Sequence, residues 1–165
     1  MMESEARFRP GAGIAVHPLE ELLACPQEVE NLLSASSQWI ECSDGEVVFF
    51  QQGICQGLYL VVSGDFVRKA RRMNARLTLG APRAGDLVEL AAALGDGRHT
   101  YTLTALSAGS LLLLPIAALQ RAFAVYPPLR MHLLEELARE VSRVYLACRL
   151  TRVSRRRRRD PQPAG

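Results

Sequence analysis

The chain has 165 residues and a mass of 18.2 kDa, with 48% hydrophobic, 22% charged and 6% aromatic residues, a length suited to one globular domain. Its longest uncharged apolar stretch, Leu103 to Leu119, is interrupted by Ser107, Gly109, Ser110 and Pro115, which argues against a membrane-spanning helix. The net charge of +3 is segregated: from Arg149 onward seven Arg and one Asp give +6, whereas residues 1–148 hold 13 basic and 16 acidic side chains, giving −3.

Residues 1–18 contain Pro10, Gly11, Gly13 and Pro18 and show no sustained period, so a flexible arm is expected there. Glu3 and Glu5 stand where a secretory signal would carry basic residues before an apolar core, which makes the cytoplasm the expected compartment. From Leu19 to about Ser34, apolar positions Leu19, Leu22, Leu23, Val29, Leu32 and Leu33 suit a helix interrupted at Pro26.

Between Trp39 and Pro115 the texture changes to short runs of Val, Phe, Tyr, Thr and Leu separated by glycines. Repeated short strands with turn signals predict an antiparallel sandwich or barrel. The clearest alternation, Thr100 to Leu106, places Thr100, Thr102 and Thr104 on a wet face and Tyr101, Leu103 and Ala105 on a core face. Glu89 to Leu94, with three consecutive alanines, predicts a short helix between strands, ended by Gly95-Asp-Gly97.

After Pro127-Pro128 the pattern predicts one helix over 129–153. Leu134, Leu137, Val141, Val144 and Cys148 recur at steps of 3, 4, 3 and 4, the spacing of a coiled-coil seam or of a face packed on the sheets. Residues 154–165, with Arg155 to Arg159, read as a basic, disordered tail with at most a non-specific attraction for nucleic acid or anionic lipid.

Few chemistries have a foothold. The four cysteines, at 25, 42, 55 and 148, form no C-x-x-C pair, and His17, His99 and His132 are too scattered for a metal site. Ser63 lies in Val62-Ser-Gly-Asp65 rather than in a nucleophile elbow, and no phosphate-binding P-loop is present, so no catalytic residue is assigned.

What remains is an ordered set: Phe50-Gln-Gln-Gly53, Leu58-Tyr-Leu-Val-Val-Ser-Gly64, Gly85-Asp-Leu-Val-Glu-Leu90 and Arg98-His-Thr100, followed by one long helix. Over about residues 19–150 this set resembles the cyclic-nucleotide-binding domain of the Crp/Fnr superfamily of bacterial transcription regulators. The resemblance implies an α+β fold: an antiparallel jelly-roll-like β-barrel over 19–128, with an N-terminal helix and a long C-terminal dimerisation helix.

It also implies a phosphate cassette in which a Gly-Glu pair, then Arg and a small hydroxyl residue, hold a ribose phosphate through helix N–H groups, a guanidinium and a carboxylate. Two alignments stay open. Without a gap, Glu89 takes the place of the second Gly and Leu90 that of the Glu; counted back from the strand, Glu89 takes the Glu position, after Val88, and His99-Thr100 the Arg-Ser positions, with Arg98 one step early. On this basis the candidate ligand-binding residues are Gly85, Val88, Glu89, Leu90, Arg98, His99, Thr100, Val144 and Tyr145. The last two replace the adenine-contacting Thr-Ser pair of the family's long helix, so cyclic AMP and cyclic GMP are expected to bind weakly or not at all, with little discrimination. Haem-binding relatives make His99, Cys42 and Cys55 conceivable axial ligands, and Cys25 alone does not match the cysteine group of iron–sulfur members.

The family's DNA-reading module follows the long helix, and this chain stops at Gly165, so no sequence-specific DNA binding is expected of it. The expected protein is a non-enzymatic homodimer, joined through Leu134, Leu137, Val141, Val144 and Cys148 and answering to a small effector. The alternative is a ligand-free dimerisation protein that modulates full-length relatives.

Overall fold

Period-two burial governs the middle of the chain. The structure, a computed structural model, describes residues 9–10, 19 and 23–157, with side chains described at 19 and 23–148. Its elements are β1 (Arg9–Pro10), α1 (Gln27–Ser36), β2 (Gln38–Cys42), β3 (Val47–Phe49), β4 (Gly57–Ser63), β5 (Phe66–Arg72), β6 (Ala75–Thr78), β7 (Leu87–Val88), α2 (Leu90–Leu94), β8 (Thr102–Ala105), β9 (Gly109–Pro115), α3 (Ile116–Val125) and α4 (Pro128–Arg157). The strands form two antiparallel sheets, ordered β1-β2-β9-β4-β7 and β3-β8-β5-β6.

Successive side chains of a strand face opposite ways, and in β4 both faces are buried. Leu58 and Leu60 pack with Leu114 of β9 against Leu33, Leu119 and Leu133 of the helices. Tyr59 and Val61 pack with Leu111 and Leu113 against Phe49, Phe66 and Leu103 of the other sheet. The five-stranded sheet is thus covered on one side by helices and on the other by its partner sheet, each fully buried Leu or Phe contributing about 2 kcal/mol. That arrangement explains the apolar run Leu111 to Leu114 as a two-faced core strand. Among the described residues no helix is long and apolar enough to cross a membrane.

β8 follows the predicted alternation, with Leu103 and Ala105 buried and Thr102 and Thr104 half-buried. Gly64 (φ +91°) turns β4 into β5 so close to Gly109 that a Cβ there would lie 2.6 Å from the Gly109 Cα. Pro26 stands at the N-terminus of α1 and breaks it from Leu23, as its missing N–H and fixed φ require. The sequence pattern singled out no element for 116–125; there Ile116-Ala-Ala-Leu119 starts α3 directly from β9 and buries Ala118, Leu119 and Ala122. Pro127 ends α3, because the residue before a proline disfavours helix, and Pro128 occupies the first helical position of α4. α4 runs on to Arg157, into the arginine run, rather than ending at 153; residues 158–165 lie outside the described part of the chain, as does most of the arm at 1–18.

Candidate functional site

Glu89 stands at the entrance to α2 with φ +71°, a left-handed conformation rare for a non-glycine residue, and is 1% exposed. The turn aims its carboxylate back at the strand-edge segment before β8. Oε2 lies 2.6 Å from His99 Nδ1 and accepts from the Thr100 N–H at 3.0 Å, while Oε1 accepts from the Thr100 hydroxyl at 2.6 Å. A buried carboxylate needs such partners. His99 is fixed further by stacking on Phe49, with ring centroids 3.8 Å apart.

A second buried carboxylate faces the first from α4. Glu140 Oε1 accepts from the Tyr101 hydroxyl at 3.0 Å and lies 3.7 Å from the Arg68 guanidinium, which sits over the Tyr101 ring. The Tyr101 oxygen in turn accepts from the Glu89 N–H at 3.0 Å. Burial pushes the Glu140 carboxyl above its ordinary value, with Arg68 and the Tyr101 hydroxyl pulling the other way. Burial, then the Glu140 and Glu89 carboxylates, also hold the Tyr101 phenol well above the usual tyrosine range.

Between these two groups lies a cavity of 210 Å³ walled by Leu79, Ala91, Leu137, Val141 and Val144, with Glu89, Thr100, Tyr101 and Glu140 as its polar members. Of the residues expected at a ligand site, it gathers Glu89, Thr100 and Val144. His99 is one bond away, buried behind Glu89.

The others are placed elsewhere. Val88 is fully buried between the sheets and Leu90 beneath the helices, so neither reaches the cavity. Gly85 adopts φ +91° in the turn before β7 and borders a separate depression with Asp86 and Arg143. Tyr145 is 65% exposed on the outer side of α4. Arg98 is the main correction: it is exposed, and its guanidinium donates to the Gln52 carbonyl at 3.0 Å, bracing the Phe50–Gly53 turn instead of facing the cavity. His99 and Arg98 are neighbours in extended chain, so only one of them can point inward.

The α4 stripe also divides. Leu137 and Val144 turn to the cavity with Glu140 between them, and Ala147 lies against Gly80. Leu134 and Val141 are 38% and 55% exposed, in line with Met131 and Tyr145, while Cys148 is half-buried. Sequence reasoning passed over Tyr101, Arg68 and Glu140. The readable signal was Glu140 itself, a carboxylate in phase with the apolar positions Leu133, Leu137 and Val144.

The cysteines show no redox or metal arrangement. Cys42 and Cys55 are buried, burial raising both thiols to about 11, and the Cys55 thiol donates to the Gly57 carbonyl. Among the described residues no group of three or more His, Cys, Asp or Glu side chains could hold a metal ion.

Two facing carboxylates on α2 and α4, closed over by a helix that follows a two-sheet roll, set the frame for comparison with known proteins. The family profile "Cyclic nucleotide-binding domain" matches residues 39–126. The chain belongs to the cyclic nucleotide-binding domain family. Among curated proteins nothing matches the sequence. Among solved structures, the chain is similar to the catabolite activator protein of Thermus thermophilus, with 27% identity, a TM-score of 0.66 and coverage of 83% of this chain and 63% of that one. It is similar to the N-terminal domain of a transcriptional regulator from Streptomyces coelicolor, with 26% identity, a TM-score of 0.58 and coverage of 79% and 90%. The sensor domain of the regulator DNR from Pseudomonas aeruginosa shares the fold at 20% identity, with a TM-score of 0.66 and coverage of 75% and 91%. The resemblance to Crp/Fnr regulators and the roll-plus-helix fold expected from the sequence are both borne out.

Proposed function

We propose that this chain is the effector-sensing, dimerising module of a transcription-regulatory system, and that it is regulatory rather than catalytic. One observation carries the reading: the cavity has walls from both the roll (Leu79, Tyr101, α2) and α4 (Leu137, Val141, Val144), so anything that fills it bears on the seating of α4. The outer side of the same helix offers Met131, Leu134 and Tyr145, and Ala138 together with Val141, which borders the cavity and is 55% exposed, completes steps of 3, 4, 3 and 4. That is the spacing of a two-stranded seam, and it makes α4 both the sensor wall and the dimer contact.

Cyclic nucleotides fit this cavity poorly. Both Glu89 oxygens are engaged by His99 and Thr100, Arg98 faces away, and the Arg68 guanidinium lies against Glu140. Among the described residues that line the cavity, a sugar phosphate would meet two carboxylates and no cation. Val144→Trp tests the reading without knowledge of the effector, because the indole occupies the cavity and displaces α4. The midpoint of the monomer–dimer equilibrium, followed by light scattering against concentration, should move by tenfold or more. An unmoved midpoint in a folded variant would refute the coupling.

A further inference from the structure

The outer face of the four-stranded sheet carries a charge pattern that the effector reading leaves unused. Residues 68–76 contain Arg68, Lys69, Arg71, Arg72 and Arg76 and no acid, within a body whose residues 1–148 are net negative. Lys69, Arg71, Arg72 and Arg76 are exposed, and none of them forms an ion pair among the described residues.

Arg71 and Arg76 stand directly opposite each other across β5 and β6. Like charges in that relation destabilise a sheet, and no carboxylate offsets them here. β6 is an edge strand, where a cation such as Arg76 serves to discourage strand addition. That explanation does not reach Lys69 and Arg71, because β5 lies between β8 and β6.

An open groove of 870 Å³ runs along this face, lined by Lys69, Arg71, Arg76, Thr78 and Thr102 and walled at one end by Phe50. Phe50 is 67% exposed. Its turn is held rigidly to the sheet: the Gln51 carboxamide accepts from the Arg71 N–H at 2.7 Å and donates to the Arg71 carbonyl at 3.1 Å. The Gln51 N–H donates to the Thr102 hydroxyl at 2.9 Å, and Arg98 clamps the Gln52 carbonyl. An exposed aromatic ring on a braced turn, beside unpaired cations in an open groove, is the combination that binds single strands, with phosphates on the cations and a base on the ring.

We propose that this groove binds single-stranded nucleic acid without sequence preference. Three cations, Lys69, Arg71 and Arg76, track the phosphates, and Phe50 stacks on one base. An acidic protein segment would use the cations but gain little from the ring, and duplex nucleic acid offers the ring no free base.

The test uses the full chain and a fluorescein-labelled twelve-residue oligothymidylate, read by anisotropy. Affinity should fall with salt at a log–log slope whose groove part is about −2, from three phosphates at about −0.7 each. Phe50→Ala should weaken binding about tenfold. Arg71→Gln with Arg76→Gln should cut the groove part of the slope to about −0.7, the share of Lys69, and, by removing the like-charge pair, raise the thermal midpoint of the free protein. Binding unchanged in both variants would assign it to the arginine run at 155–159 and overturn the proposal. Equal affinity for duplex, equal competition by polyglutamate, or capture by phosphatidylserine vesicles without oligothymidylate binding would each overturn it too.

Discussion

The Tyr101 hydroxyl donates to Glu140 Oε1 at 3.0 Å while its oxygen accepts from the Glu89 N–H at 3.0 Å, so one phenol ties α4 and the start of α2 to the segment that leads into β8. Tyr101→Phe keeps the ring in the core and removes only that tie. The Glu140 carboxylate and the Glu89 N–H then lose a buried partner each, at about 1–3 kcal/mol per group. Urea denaturation should show a destabilisation of about 3 kcal/mol. Exchange of the amides of α4 near Glu140 should quicken at the same time, since the helix loses one of its polar anchors to the roll and keeps Arg68 at Glu140.

Glu140 also sets a pH dependence. Burial raises its folded carboxyl above the ordinary value of 4.5, so the folded state favours the protonated form. Its contribution is therefore full below pH 4.5 and lost as pH rises through the folded value. Glu140→Gln removes that loss while leaving an acceptor for Tyr101 and Arg68. The stability of this variant relative to the wild type should rise as pH goes from 4.5 toward neutrality. Denaturation midpoints that fall in parallel for both proteins across that range would contradict the assignment.

The sequence revealed the roll because its signals are local and repeated: alternation in Thr100–Leu106, glycine turns, and a long helix after Pro127-Pro128. It pointed to Glu89 and Thr100, which the structure brings to one cavity, because a carboxylate ahead of an alanine-rich helix and a hydroxyl at a strand entrance have few other uses. Arg98 was not legible, since a shift of one residue in extended chain exchanges inside for outside, and Arg98 and His99 were both acceptable candidates by type. The stripe on α4 divides for a related reason. Steps of three and four fit both Leu137-Glu140-Val144 and Met131-Leu134-Ala138-Val141-Tyr145, two neighbouring stripes on one helix, and only packing decides which one the roll takes.

Thiol chemistry gives an independent check on the core. Cys42 and Cys55, raised to about 11, leave about one thiol in a thousand ionised at pH 8, and the thiolate is the reactive form. Iodoacetamide at that pH should modify half-buried Cys25 and Cys148 first. Cys42 and Cys55 should react only in denaturant, as counted by mass spectrometry.

Val141→Glu tests the outer stripe. Val141 borders the cavity but is 55% exposed on the free chain, so a carboxylate there can turn outward, and circular dichroism should be unchanged. In a symmetric seam the two carboxylates face each other across the axis in an apolar contact, and an unpaired buried charge is strongly unfavourable. Light scattering at micromolar concentration should give about twice 18.2 kDa for the wild type and a single chain's mass for the variant. Leu137→Glu, on the cavity side, should instead destabilise the fold itself, because Leu137 packs on the core under the helices. A wild type that scatters as one chain, or a dimer indifferent to Val141→Glu, would remove α4's outer stripe from the reading.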